Sequence, residues 1–351
     1  MIRTIPLTHQ PSREASRTSR RSLLQAAVGG AALLYRIAEP ALVCGAPREI
    51  SGGDSTYAEV VRRLRGPMAS ITIPYNKDFS IDHGSLRAWV DFVCERKAPI
   101  IFLTFGDSEI RNLSEQEIEA VMRTVAVQTK NRSLVIGGTP HGWTGQTIDF
   151  INRLEDAGVD AVNVHLYTDD ATDIMRALAE IAAKTRLPLV AYEETKYSVD
   201  LVCQIAKIPG FVGMKCHSEL YQYYDFIRET KNDDFQVLSG GQMKQFLFGY
   251  LVGSPAYLCP FAPFAPQVSL EFYEALKRND VTVARKIIFD YEEPLLRITT
   301  PLDYPQAYKS ALYLAGLYKT NLVRPPLASN AVSDLEPLRT FLKQKHLIGG
   351  G

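Results

Sequence analysis

Cysteine is sparse in this chain. Five are scattered over 351 residues (Cys44, Cys94, Cys203, Cys216, Cys259), with no Cys-x-x-Cys and no paired spacing. That argues against a disulfide framework or a thiolate metal site, and reads them as small buried hydrophobes. The six histidines include no His-Glu-x-x-His, so zinc has no support and no metal is expected. An excess of either charge is also missing. Lys+Arg 39 balances Asp+Glu 39, which gives no footing for nucleic acid or an electrostatic membrane partner. No Gly-x-Gly-x-x-Gly follows the first candidate strand, which weakens a dinucleotide-binding fold. What remains is an ordinary globular composition, 46% hydrophobic and 22% charged, with enough chain for one big core or two small ones.

The first 50 residues differ from the rest. "SREASRTSRRSLLQAAVGGAALL" runs from a basic, acid-poor segment into an uncharged apolar stretch, Leu23 to Tyr35, too short for a comfortable membrane helix. A positive region followed by an apolar one is the order of an export signal. Ser19-Arg20-Arg21-Ser22-Leu23-Leu24 resembles the twin-arginine signal in particular. We expect residues 1–50 to be an export signal and linker, the protein to be exported to the periplasm, and the mature chain to hold no membrane span. A single domain is expected over 55–345.

From about residue 66, short apolar runs alternate with segments of helical period. Candidate strands are 68–73, 99–105, 134–138, 161–166, 188–192, 211–215, 236–240 and 256–260. Amphipathic helices lie between most of them, for example 84–96, 114–129 and 170–185; Ser114 with Glu117 forms a capping box. Continuous rather than alternating apolar runs suit parallel strands buried on both faces. Eight such units over some 200 residues predict an α/β fold, a (β/α)₈ TIM barrel, and the segments after the eighth strand predict additional C-terminal helices.

In this architecture chemistry sits at the C-terminal ends of the strands. "GFVGMK" (210–215) carries an apolar strand to a lysine, Lys215, and a buried lysine is costly unless it is paired, neutralised or used. Desolvation disfavours its charged form and makes the amine nucleophilic. Tyr192 ends the preceding strand, where a hydroxyl would pass protons as a carbinolamine dehydrates. Asp107 and Glu109 follow strand two, and His165 and Tyr167 close strand four.

From about residue 66 to 327 the chain resembles the dihydrodipicolinate synthase / N-acetylneuraminate lyase family of class I aldolases. The resemblance rests on "TIPYNKDFSIDHGSLRAWVDF", "NLSEQE", "LPLVAY", "GFVGMK", "VLSGGQMKQFLFGYLVGSPAYL" and "KSALYLAGLYKTNLVRPPL" in that order. It implies a barrel with C-terminal helices, a homo-oligomer (dimer or tetramer), a small-molecule carbonyl substrate, no cofactor, Lys215 as the Schiff-base lysine and Tyr192 as the catalytic tyrosine. The chain also departs from the family. The family's Gly-Thr-Thr-Gly-Glu is Phe105-Gly106-Asp107-Ser108-Glu109 here, so Gly106 and Asp107 stand where threonines grip a substrate carboxylate. An ionised aspartate beside that carboxylate would be repulsive. The family's Tyr-Asn-x-Pro becomes Tyr192-Glu193-Glu194-Thr195, and Pro-Tyr-Tyr becomes His165-Leu166-Tyr167. Tyr167 then matches the second of those tyrosines. His217, two residues beyond Lys215, is a candidate proton carrier or an ordinary rim residue; Asp107 is a candidate acid/base or a loop-capping group. Lys196 and Arg111 are the nearest cations to take over anion binding.

The resulting expectation is a Schiff-base lyase acting on a 2-oxo acid or related carbonyl compound. Two alternatives stand beside it: a dehydratase of a sugar-derived oxo acid using the same lysine, and an exported, non-catalytic barrel that binds a small organic ligand.

Overall fold

Each of the eight apolar runs becomes a strand because parallel strands flanked by helices bury both faces. In the computed structural model, which describes residues 55–193, 195–231, 234–303 and 306–348, the strands are β1 (Gly66–Ser70), β2 (Ile100–Phe102), β3 (Leu134–Gly138), β4 (Ala161–Val164), β5 (Leu189–Tyr192), β6 (Phe211–Cys216), β7 (Gln236–Ser239) and β8 (Ala256–Leu258). They pair in sequence order, all parallel, and β8 returns to β1, closing the barrel. The structure therefore is the (β/α)₈ barrel the sequence predicts. The export-signal reading of residues 1–50 lies outside the described residues.

A helix not anticipated from the sequence, α1 (Ser55–Arg63), precedes the barrel. Val60 and the following Leu64 join the inward side chains Met68, Ile100, Phe102, Leu134, Ile136, Val190, Val212, Leu238 and Leu258 in one buried cluster, which fills the barrel interior. Connecting helices α2 (His83–Glu95), α3 (Glu115–Thr129), α4 (Thr144–Ala157), α5 (Ala171–Lys184), α6 (Val199–Ala206), α7 (Leu220–Thr230) and α8 (Met243–Val252) pack a second, larger apolar layer on the outside. Several start on short polar caps: Asp82, Asp170 and Ser198 each accept a backbone N–H, and Ser114 with Glu117 makes the expected capping box.

After β8 come α9 (Pro266–Lys277), α10 (Val281–Ile287), a π-helical turn (Ile288–Glu292), α11 (Glu293–Thr299), α12 (Gln306–Leu314) and α13 (Glu336–Gln344). The extension between α12 and α13 straps itself to the barrel by polar contacts. Arg324 lies over the Tyr75 ring, donates to both carboxylate oxygens of Glu117, and donates to the carbonyls of Phe79 and Asn112. Tyr318 donates to the Thr72 carbonyl and Thr320 to that of Tyr75.

Among the described residues no helix is long and apolar enough to cross a membrane. Cys94, Cys216 and Cys259 are buried free thiols, as expected. Cys203 is buried as well.

Candidate active site

Strand β6 does not alternate regularly. Opposite β5, Leu189 pairs with Phe211 but Val190 pairs with Gly213, so one extra residue, Val212, is accommodated. Such a bulge inverts the facing of everything beyond it. Val212 points into the barrel, Met214 belongs to the outer layer, and Lys215 turns inward. Gly213 is required at this point, because a Cβ there would sit 2.3 Å from the Gln236 carbonyl oxygen.

Lys215 is 2% exposed. Its Nζ donates to Thr104 Oγ1 at 2.9 Å and lies 5.0 Å from the Tyr192 ring centroid and 5.9 Å from that of Phe102. Tyr192 is the direct β5 register partner of Lys215 and remains partly open to the mouth. The two residues predicted to share one carbonyl compound are therefore neighbours. Thr104 was not singled out from the sequence, although it follows Ile100 and Phe102 in the inward parity of β2.

The remaining candidates divide by burial. His165 is fully buried: its Nδ1 donates to the Thr139 carbonyl at 2.6 Å and its Nε2 accepts from the Asn163 amide at 2.7 Å. Burial pushes its imidazole down to about 3, so the ring is neutral and both nitrogens are occupied by protein. Its ring packs edge-on against Tyr192 at 4.5 Å. His217 lies just beyond the end of β6, exposed on the rim with its ring 5.1 Å from that of Tyr192. Partial desolvation in the mouth, then the neighbouring Lys215 ammonium, hold its imidazole below the usual histidine range. Tyr167 is 85% exposed and stands against His141.

Gly106 is exposed, and a Cβ built on it would meet nothing within 4 Å. Asp107, beside it, is buried in the tight turn after β2, where Ser108 and Glu109 donate backbone N–H to the carbonyls of Thr104 and Gly106. Glu109 has a left-handed backbone and a buried carboxylate that pairs with Lys309 on α12. Burial raises the Glu109 carboxyl and lowers the Lys309 amine to about 8, so desolvation outweighs attraction at both ends of the pair. Glu109 is thus a structural anchor of the β2 loop.

A second missed residue is Glu193, 4% exposed. Its carboxylate accepts from the backbone N–H of His217 at 2.6 Å and of Ser218 at 2.9 Å, and from the Ser218 hydroxyl, while its own N–H donates to the Lys215 carbonyl. The residue that replaces the family's asparagine therefore ties the end of β5 to the chain on both sides of Lys215.

Two cavities open at the mouth. One, of 320 Å³, is lined by Arg111, His141, Tyr167, Thr168, Asp169 and Thr195, with the Arg111 guanidinium 4.7 Å above the Phe105 ring. The other, of 460 Å³, borders His217, Gly240, Gly241 and α8. No group of three or more His, Cys, Asp or Glu side chains among the described residues is arranged to hold a metal.

An eight-stranded parallel barrel with an inward, buried lysine on its sixth strand, beside a tyrosine on the fifth, holds the groups that imine formation requires. Residues 63–345 match the model of the dihydrodipicolinate synthetase family, and the chain belongs to that family. It is a Schiff-base lyase by that membership. It is 32% identical over 303 residues to a probable 5-dehydro-4-deoxyglucarate dehydratase of Streptomyces coelicolor, covering 81% of this chain and 92% of that protein. A 4-hydroxy-tetrahydrodipicolinate synthase of Methanosarcina acetivorans is 28% identical, with 81% and 98% covered. Among solved structures, the chloride-inhibited dihydrodipicolinate synthase of Acinetobacter baumannii, complexed with pyruvate, superposes with a TM-score of 0.74 at 25% identity, covering 81% of this chain and all of that one.

Proposed function

We propose that Lys215 forms an imine with C2 of a 2-oxo acid, and that the reaction is dehydration of a hydroxylated substrate. The Lys215 amine adds to the carbonyl carbon, and the carbinolamine loses water. The iminium draws electrons from the C3–H bond. Loss of that proton gives an enamine, which expels the C4 hydroxyl as water; hydrolysis then frees the lysine. The observation that carries this reading is the inward placement of Lys215 by the β6 bulge, with Thr104 holding Nζ and Tyr192 beside it. Tyr192 and the neighbouring His217 are the groups placed to move protons at the mouth; His165, with both nitrogens occupied, orients Tyr192.

Dehydration is favoured over carbon–carbon cleavage by the relative at 32% identity, named a probable 5-dehydro-4-deoxyglucarate dehydratase. The substrate's own carboxylate is proposed to approach the backbone at Gly106, where the structure leaves open space. Asp107, buried in its turn, then serves the loop rather than the anion.

The test is borohydride reduction in the presence of a 2-oxo acid, followed by mass spectrometry of the peptide containing residue 215. A mass increase on Lys215 that disappears in Lys215→Ala is expected. Failure to trap any 2-oxo acid would favour the non-catalytic, ligand-binding alternative. Export to the periplasm, directed by Arg20 and Arg21, is proposed on the sequence alone.

A further inference from the structure

A carboxylate taken out of water needs partners for about four lone-pair sites. Among the described residues, Glu193 finds them all in neutral donors. One oxygen accepts the backbone N–H groups of His217 at 2.6 Å and Ser218 at 2.9 Å; the other accepts the Ser218 hydroxyl and the Tyr197 N–H at 3.4 Å. Either orientation of a glutamine amide would set its NH2 against at least one backbone N–H, so the site is built for an anion.

That anion sits where β6 stops. The strand ends at Cys216, and the chain turns around the Glu193 carboxylate instead of running on. The His217 ring then rests on the Gly240 backbone, where a Cβ would lie 2.7 Å from its Nδ1, and faces Tyr192 at 5.1 Å. The same side chain borders the 460 Å³ cavity, so it stands between the reactive pair and an opening to solvent. The pair is held by other bonds. The Lys215 carbonyl accepts the Glu193 backbone N–H, and the Tyr192 carbonyl accepts the Tyr197 hydroxyl at 3.0 Å. Neither bond is made by the Glu193 side chain.

We infer that Glu193 is a positioning residue for proton transfer: its charge holds the turn that aims His217 at Tyr192, and through His217 it governs proton movement between the imine and solvent. This inference rests on the imine reading above, because only an imine at Lys215 gives the protons a source.

Pyruvate separates the two steps. Borohydride trapping at Lys215 reports imine formation, and loss of the methyl signal by proton NMR in deuterium oxide reports exchange at C3, with Lys215→Ala as the blank. Glu193→Gln should change trapping by less than about twofold and slow exchange by about tenfold or more, as expected when a proton carrier is misaimed. His217→Ala should slow exchange as much. The double variant should be no slower than His217→Ala alone, because both changes strike one path. Ser218→Ala removes one donor and keeps the charge; it should slow exchange by less than Glu193→Gln does. If Glu193→Gln does not fold, Ser218→Ala with His217→Ala completes the same cycle. Trapping and exchange that fall together, additive losses in the double variant, or exchange at the unaltered rate in His217→Ala would each overturn the role of Glu193 and leave the imine intact. If the unaltered protein traps no pyruvate at Lys215, the imine reading fails and this one falls with it.

Discussion

At the scale of single residues, the side chain with most influence on Lys215 is a neutral one. The Thr104 hydroxyl is 2.9 Å from Nζ, at a position 2% exposed. Thr104→Val keeps the shape and removes that bond, so the fold should persist while the amine loses its fixed direction. A bond of this kind contributes about 1 kcal/mol, which predicts a roughly fivefold to tenfold slower imine trapping, with Thr104→Ser restoring the rate. A single-turnover trapping rate unchanged in Thr104→Val would remove Thr104 from the mechanism. Lys215 and Tyr192 were legible because each ends an apolar run that had to be a buried strand. Thr104 was not, because it lies inside such a run and reads as an ordinary β-branched strand residue. The bulge escaped notice too. Gly213 looks like a routine strand glycine until the Gln236 carbonyl is found pressed against it.

Among elements, the eight strands were readable within a few residues, since buried parallel strands are uniformly apolar. What could not be read was which polar groups pin one element to another. Glu292, fully buried in the π-helical turn, accepts from the first backbone N–H groups of α8, and Lys244, Glu293, Tyr257 and Cys259 surround it. Burial raises its carboxyl from 4.5 to about 7. With the folded value above the unfolded one, the folded state binds more protons between about pH 4.5 and 7. Stability from this group is therefore complete below 4.5 and is lost as pH rises through 7. The displacement corresponds to roughly 3 kcal/mol. Glu292→Gln should flatten the fall in unfolding free energy between pH 5 and 7.5 in urea titrations. A variant that keeps the same slope as the unaltered protein would show that Glu292 does not set it.

For the whole molecule, the proposal of export makes a simple demand. Arg20→Lys combined with Arg21→Lys should leave the protein in the cytoplasm on cell fractionation; periplasmic protein at the unaltered level would reject the twin-arginine reading. Long-range pairings were beyond sequence reasoning altogether. In the sequence Glu109 is simply a residue that follows strand two, and nothing there points to its counter-charge, Lys309, 200 residues away. That separation has a temporal side. A ribosome makes the β2 loop long before it makes α12, and a carboxylate awaiting its ammonium stays hydrated rather than buried. The loop beside Thr104 can settle only once Lys309 arrives and the strap carrying Arg324 follows. The wall of the mouth beside Thr104 thus depends on a segment made 200 residues after it.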